Sequence, residues 1–182
     1  LFYNLTSSTA RFNQLAAGET AVDSFTYTVS DGNLSTTATV QVTITGANDA
    51  IQAQADTITT TEDAAASVTG NLLANDIDAD VNDTPTIVNV GSSVTATAIA
   101  TLGGFRITTV DGVVIDLNAN GDYTLTAPES LAGGQSTTAS FQYTVQDSGS
   151  AQSSTTVTVQ VTGDNDAPGA VDVTLTASNE DE

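Results

Sequence analysis

The side chains of this chain that could do chemistry are oxygen donors. Asp and Glu number 22 among 182 residues, against two basic residues, Arg11 and Arg106, and there is no Lys, His or Cys. The acids fall in clusters. One is a joint, Asn48-Asp49, repeated as Asp164-Asn165-Asp166. A second, Glu62-Asp63, follows the first joint, and Glu180-Asp181-Glu182 stands correspondingly beyond the second. The third is Asp76-Ile77-Asp78-Ala79-Asp80, with Asp83 behind it.

Carboxylates and amides without nitrogen or sulfur donors suit Ca2+, which takes six to eight oxygens from carboxylates, carbonyls and water. No cluster supplies that number alone. The expectation is therefore that Asn48, Asp49, Glu62, Asp63, Asp76, Asp78 and Asp80 converge at a seam between folded units, with Asp164, Asn165, Asp166 and Glu180 serving the next seam. Like charges ~5.5 Å apart repel by roughly 3 kcal/mol at an effective dielectric of ~20, so such a seam should splay without a cation and stiffen with one. The Asp76–Asp83 run has Asp at the first, third and fifth positions of an EF-hand loop. Val81 in place of the glycine and Ile87 in place of the final glutamate argue against that loop.

A formal charge of −20 argues against nucleic acid and against anionic membrane surfaces, both of which require cations on the protein. No apolar run approaches the ~20 residues of a membrane-spanning helix. Without cysteine, a small extracellular domain has no disulfide staple, and a metal is the natural substitute. Asp76 and Asp78 could in principle form a glycosidase pair. With no His or Cys and only five Phe and four Tyr, neither a base, a nucleophile nor an aromatic cleft is evident, and no enzyme is expected.

The elements that must carry these clusters are strands. Phe25, Tyr27, Thr28, Val29 and Asp31 recur 116 positions later as Phe141, Tyr143, Thr144, Val145 and Asp147. Val40, Val42 and Ile44 recur 117 positions later as Val157, Val159 and Val161. The extra residue falls in the turn-like Ser148-Gly149-Ser150, where insertions are tolerated. Alternating Val, Ile and Thr predict strands near 23–30, 36–45, 53–61, 85–90, 94–100, 105–110, 113–117, 123–126, 139–146 and 154–162. Asp111-Gly112 reads as a two-residue hairpin. Turns every 8 to 12 residues point to an antiparallel immunoglobulin-like sandwich, with a barrel as the alternative. The period divides the chain into 1–49, the closing part of one repeat; 50–168, a complete repeat; and 169–182, the opening strand of another. Phe25, Tyr27, Phe141 and Tyr143 are expected in cores.

Phe25-Thr26-Tyr27-Thr28-Val29-Ser30-Asp31-Gly32, followed by Val42 to Ala50, closely resembles the VCBS and cadherin-like tandem repeats of large bacterial surface adhesins of the RTX type. Leu72-Leu73-Ala74-Asn75-Asp76-Ile77-Asp78-Ala79-Asp80 is similar to the opening of the same repeats. The resemblance implies all-β, cadherin-like sandwich modules in tandem, calcium between neighbouring repeats of the chain, type I secretion to the cell surface, and a spacer role in adhesion and biofilm. In cadherins the joint reads D-x-N-D-x-x-P or similar. Asn165 and Asp166 match it, Gly163 and Gly46 stand where the leading Asp belongs, and Ile51 replaces the proline. Glu62 matches the glutamate near the end of the first strand, and Asp78 with Asp80 the D-x-D of the following module. The alternative reading is a module that binds a sugar, peptide or other host or biofilm surface ligand through calcium, for which 84–104 is the natural specificity segment.

Overall fold

Alternation of large apolar residues with Thr, Ser and Gln governs nearly every segment, and each such segment is a strand. The computed structural model describes residues 9–62, 67–93, 95–128 and 131–166. The elements are one helical turn, α1 (Thr9–Phe12), and eleven strands. These are β1 (Thr20–Ser30), β2 (Ser35–Thr45), β3 (Asp56–Thr61), β4 (Val68–Asn71), β5 (Thr86–Gly91), β6 (Ala96–Thr101), β7 (Gly104–Thr109), β8 (Val114–Asn118), β9 (Asp122–Thr126), β10 (Ser136–Gln146) and β11 (Gln152–Thr162).

Nine strands build a sandwich. One sheet has the order β3-β11-β10-β5, the other β4-β9-β8-β7-β6. All pairings are antiparallel except β3 on β11, where Ile58 lies opposite Val159. Phe141, Tyr143 and Val145 of β10 and Val157, Val159 and Val161 of β11 face Ile107, Ile115, Leu117 and Leu125 of the other sheet, all buried. Removing each such side chain from water stabilises the fold by roughly 1.5–3 kcal/mol before entropy is counted. The fold is the immunoglobulin-like β-sandwich that the strand pattern implied, not the alternative barrel, and is consistent with the cadherin-like kind that the resemblance implied.

The hairpin at Asp111-Gly112 is longer than its sequence implies. Gly112 N–H donates to Thr109 O at 3.1 Å, Thr109 N–H donates to Val113 O at 2.9 Å, and Gly112 has φ of 86°. A three-residue loop ending on a left-handed glycine, rather than a two-residue turn, joins β7 to β8.

β1 and β2 form a separate two-stranded antiparallel sheet in the same register as β10 and β11, with Phe25 opposite Val40 as Phe141 is opposite Val157. Their environments differ. Tyr143 is fully buried, whereas its counterpart Tyr27 is 47% exposed, and Val29 is exposed where Val145 is not. The core expectation thus holds for the second copy and fails for Tyr27, because no second sheet covers β1 and β2 among the described residues.

Both copies end in the same backbone joint. Gly46 N–H donates to Glu19 O and Gly18 N–H to Gly46 O; Gly163 N–H donates to Gln135 O and Gly134 N–H to Gly163 O. A Cβ on Gly46 would sit 2.2 Å from Leu15 O, and one on Gly163 2.4 Å from Ala132 O. That close approach of backbone excludes the aspartate found at this position in the cadherin joint.

Candidate metal centre

At the end of the sandwich where β10 turns into β11, three carboxylates meet. Asp78, Asp83 and Asp147 each offer an oxygen, and the three oxygens lie within 4.8 Å of one another. That distance is the span of two Ca–O bonds of ~2.4 Å laid end to end. Three unit charges so placed repel pairwise by roughly 3 kcal/mol at an effective dielectric of ~20.

Local hydrogen bonding assembles the group. A two-residue antiparallel bridge, Gln52 N–H to Ile77 O at 2.8 Å and Ile77 N–H to Gln52 O at 3.1 Å, pins the Asp76–Asp80 loop to the chain entering the sandwich. Asp80 N–H donates to Asp78 Oδ1, an Asx turn that points Asp78 inward. Asp83 accepts the Ser148 amide on both oxygens. Asp147 accepts Ala151 N–H on Oδ1, and Ile51 N–H with the Asn48 side-chain amide on Oδ2.

The joint closes over this group. Asp49 N–H donates to Asp80 Oδ2 at 2.9 Å, Asn82 donates to Glu19 Oε1 at 2.8 Å, and Val81 N–H reaches Gln14 O at 3.4 Å. Asn48 packs so tightly on Gly149 that a Cβ there would lie 1.8 Å from Asn48 Oδ1. The residue gained in the second copy's turn is thus beside the surface that receives the joint.

The electrostatics of the group are unbalanced. Burial pushes Asp78 up from its ordinary pKa, with the Asp83, Asp80 and Asp147 carboxylates adding to the effect against the Asp80 amide. Burial also raises Asp83, but the Ser148 hydroxyl and the Thr84 and Ser148 amides outweigh it and hold the group below its usual range. Asp80 is 3% exposed; its Oδ1, like Asp78 Oδ2, is buried with no hydrogen-bond partner. Neither arginine compensates: Arg106 is paired with Asp116 at 2.7 Å, and Arg11 lies over the Phe12 ring. Buried carboxylate oxygens without donors are the observation that a cation fits, since an unpaired buried charge is otherwise costly.

Of the residues singled out in the sequence, Asn48, Asp49, Asp78 and Asp80 gather here. Asp76 does not join them. Tyr143 O–H lies 3.1 Å from both its oxygens and Gln54 N–H donates to Oδ1, so Asp76 is drawn to the half-buried neighbourhood of Asp56. Burial, then the Asp76 carboxylate, pushes Asp56 up to about 6 against the Tyr143 hydroxyl and the Asn75 amide. Glu62 is likewise elsewhere, which corrects the expectation that it shares a seam with Asp49 and Asp78. Thr61 pairs with Thr162 at the far end of β11, an 11-residue strand whose ~3.4 Å rise per residue puts ~34 Å between the two ends. There Glu62 is buried, Oε1 accepting Asp164 N–H at 2.9 Å and Oε2 accepting Leu131 N–H at 2.5 Å. Asp164, Asn165 and Asp166 lie at that end and are exposed. Asp63 and Glu180 fall outside the described residues.

Sequence reasoning left Asp83 and Asp147 off the site. Asp147 was visible only as the repeat partner of Asp31, whose carboxylate merely closes a turn on Asn33 and Leu34. Asp83 lies three residues past the D-x-D run.

A β-sandwich of this topology, with acid-rich loops at one end receiving the joint from the preceding segment, defines a cadherin-like class of module. The model of the bacterial cadherin-like domain matches residues 48–163, most of the chain, and the chain belongs to that family. No curated protein matches it. The domain is a structural fold suited to an extension or adhesion role, which suggests an extracellular or surface protein; no helix among the described residues is long and apolar enough to cross a membrane.

Proposed function

We propose that this chain is a calcium-stiffened extender of a large secreted bacterial adhesin of the RTX type, in which Asp78, Asp83 and Asp147 hold the ion. Asp80 lies beside them in the same repeat, and the joint residues Asn48 and Asp49 close the site from the preceding one. The observation that carries this reading is the convergence of three carboxylates beside two buried, unpartnered carboxylate oxygens where the preceding segment meets the sandwich. Bound Ca2+ supplies positive charge shared among groups that repel in its absence. The protein's part is to orient them: the Asx turn at Asp78, the Ser148 amide on Asp83 and the Asn48 amide on Asp147 aim oxygens at one point. A joint tied across its seam in this way transmits direction from repeat to repeat, as a spacer between the cell and an adhesive tip requires. The VCBS-type setting, type I export and the role in biofilm belong to this proposal and rest on the sequence resemblance.

The test is calcium titration by calorimetry, joined to small-angle scattering with calcium and with EDTA. Binding abolished by Asp78→Asn, together with a narrower spread of molecular dimensions in calcium, supports the reading. Heat and scattering unchanged by millimolar calcium would remove the ion from it.

A further inference from the structure

The two sheets of the sandwich are bordered by β3, β5, β4 and β6, and one of these edges lacks every feature that discourages pairing with another chain. β3 begins at Asp56 and runs into Glu62, β4 has four residues, and the pairing of β5 is broken by a bulge between Asn89 and Ile87. β6 keeps an unbroken register with β7, from Ala96 opposite Thr109 to Thr101 opposite Gly104. It carries no charge, no proline and no bulge, the means by which sheet edges are ordinarily closed. All the strands of the module that could cover it, from Asp56 to Thr162, are described, and none does.

The first half of this edge is used by its own chain. Ser93 N–H donates to Ala96 O at 2.8 Å, Ala96 N–H to Ser93 O at 3.3 Å, and Ala98 N–H to Ser92 Oγ at 2.9 Å. Ala96 and Ala98 thus turn their backbone away from β7, and by the period of two so does Ala100. Ala98 O, Ala100 N–H and O, and Leu102 N–H have no partner among the described residues. Apolar side chains flank them in water, Ile99 64% exposed and Leu102 fully so. The surroundings are uncharged. Thr84 to Phe105 is the longest run of the chain without a charged residue, and Arg106, opposite Ile99, is neutralised by Asp116. In a chain of formal charge −20, two copies can meet at this edge without setting carboxylates face to face.

We propose that β6 is a dimerisation edge, at which the β6 strands of two copies pair antiparallel about a two-fold axis at Ala100 and join their five-stranded sheets into one. Ala100 N–H of each copy donates to Ala100 O of the other, and Leu102 N–H to Ala98 O. Ser92, holding Ala98 N–H, ends the ladder on that side. Ile99 stands opposite Thr101 of the second copy and diagonal to its Ile99, within reach of it. A basic peptide, the partner that the overall charge favours, finds no carboxylate on this strand. A second copy finds the donors and acceptors it lacks itself, and the isologous contact closes as a pair.

Association is measured by light scattering after size exclusion, with EDTA present so that the result is independent of the calcium reading. Salt near 0.5 M limits the reach of the remaining repulsion to roughly 4 Å. The mass should climb with concentration from 18.4 kDa towards twice that value and stop there. Ala100→Pro deletes an N–H that no bond within the chain uses, and Ile99→Lys sets two like charges beside each other in the pair. Both variants should melt as the parent does when dilute and remain at 18.4 kDa when concentrated. A parent that stays at 18.4 kDa, growth past the pair, or a folded variant that associates as the parent does overturns the proposal. Register is read from introduced cysteine, since the native chain has none. Ala100→Cys places the two sulfurs on a hydrogen-bonded pair with Cα atoms about 5.5 Å apart, within disulfide reach, whereas Thr97→Cys leaves the pair ~20 Å apart. A disulfide-linked pair formed by Ala100→Cys and not by Thr97→Cys is expected; equal yields contradict the register.

Discussion

Asn48 and Asp147, 99 residues apart in the chain, meet side chain to side chain, Asn48 Nδ2 donating to Asp147 Oδ2 at 3.0 Å. The bond crosses from the joint to the turn between β10 and β11, so the preceding segment is seated on the sandwich by the same carboxylate that meets Asp78 and Asp83. On the proposed reading a cation drawn to Asp147 should tighten this seat, and disturbing the seat should weaken the cation.

Gly149→Ala tests that coupling from the far side of the contact. The new methyl would occupy the place of the Asn48 side-chain oxygen, which is flexible and can leave. Sandwich stability should fall by less than about 1 kcal/mol, as for a surface change. Calcium affinity and protection of residues 46–50 from proteolysis should fall together; loss of affinity without loss of protection would separate the seat from the ion.

Asp78→Asn should change sign with conditions. In calcium it removes a ligand charge, and affinity measured by calorimetry should drop at least about tenfold, the effect of roughly 1.4 kcal/mol. In EDTA it removes a charge that burial and the Asp83, Asp80 and Asp147 carboxylates disfavour, and the melting temperature should stay level or rise. A fall in both conditions would mean that the Asp78 bond to the Asp80 amide, not the ion, is what the substitution breaks.

Asp56 gives the sandwich a pH dependence of its own. Its folded pKa of about 6 lies above the unfolded value near 3.9, so the folded state holds the proton more tightly. The associated stability is fully present below about pH 4 and is lost as pH rises through about 6. Partial exposure screens the effect, leaving on the order of 1 kcal/mol. Urea unfolding in EDTA should show this decline, and Asp56→Asn should flatten it; an unaltered slope in the variant would place the titration elsewhere.

Tyr143→Phe removes a buried hydroxyl lying 3.1 Å from Leu72 O and from Asp76, leaving acceptors without their donor. A loss of about 1–3 kcal/mol is expected in urea unfolding. A neutral result would mean that water replaces the hydroxyl.

The sandwich was legible in the sequence because the apolar period of two survives in most core strands, from Ile58 to Val161; β5 breaks it at a bulge, where Ile87 and Val90, three apart, are the buried pair. The candidate metal centre was half legible. Asp78 and Asp80 announce themselves by spacing, but Asp147 looks like the turn aspartate Asp31, and only the arrival of Asn48 and Asp83 beside it distinguishes the two. Glu62 misled for a topological reason: β3 runs parallel to β11, which carries a residue only 13 positions past Asp49 to the opposite end of the module. Tyr27 misled because a repeat predicts the side chain's direction but not what covers it.

The central claim is that Asp78, Asp83 and Asp147 share one divalent ion. It is tested most directly by anomalous diffraction from crystals grown in calcium. The account predicts a single anomalous peak about 2.3–2.6 Å from an oxygen of each of the three carboxylates. Well-ordered carboxylates at this site with no peak among them, in crystals saturated with calcium, would contradict it.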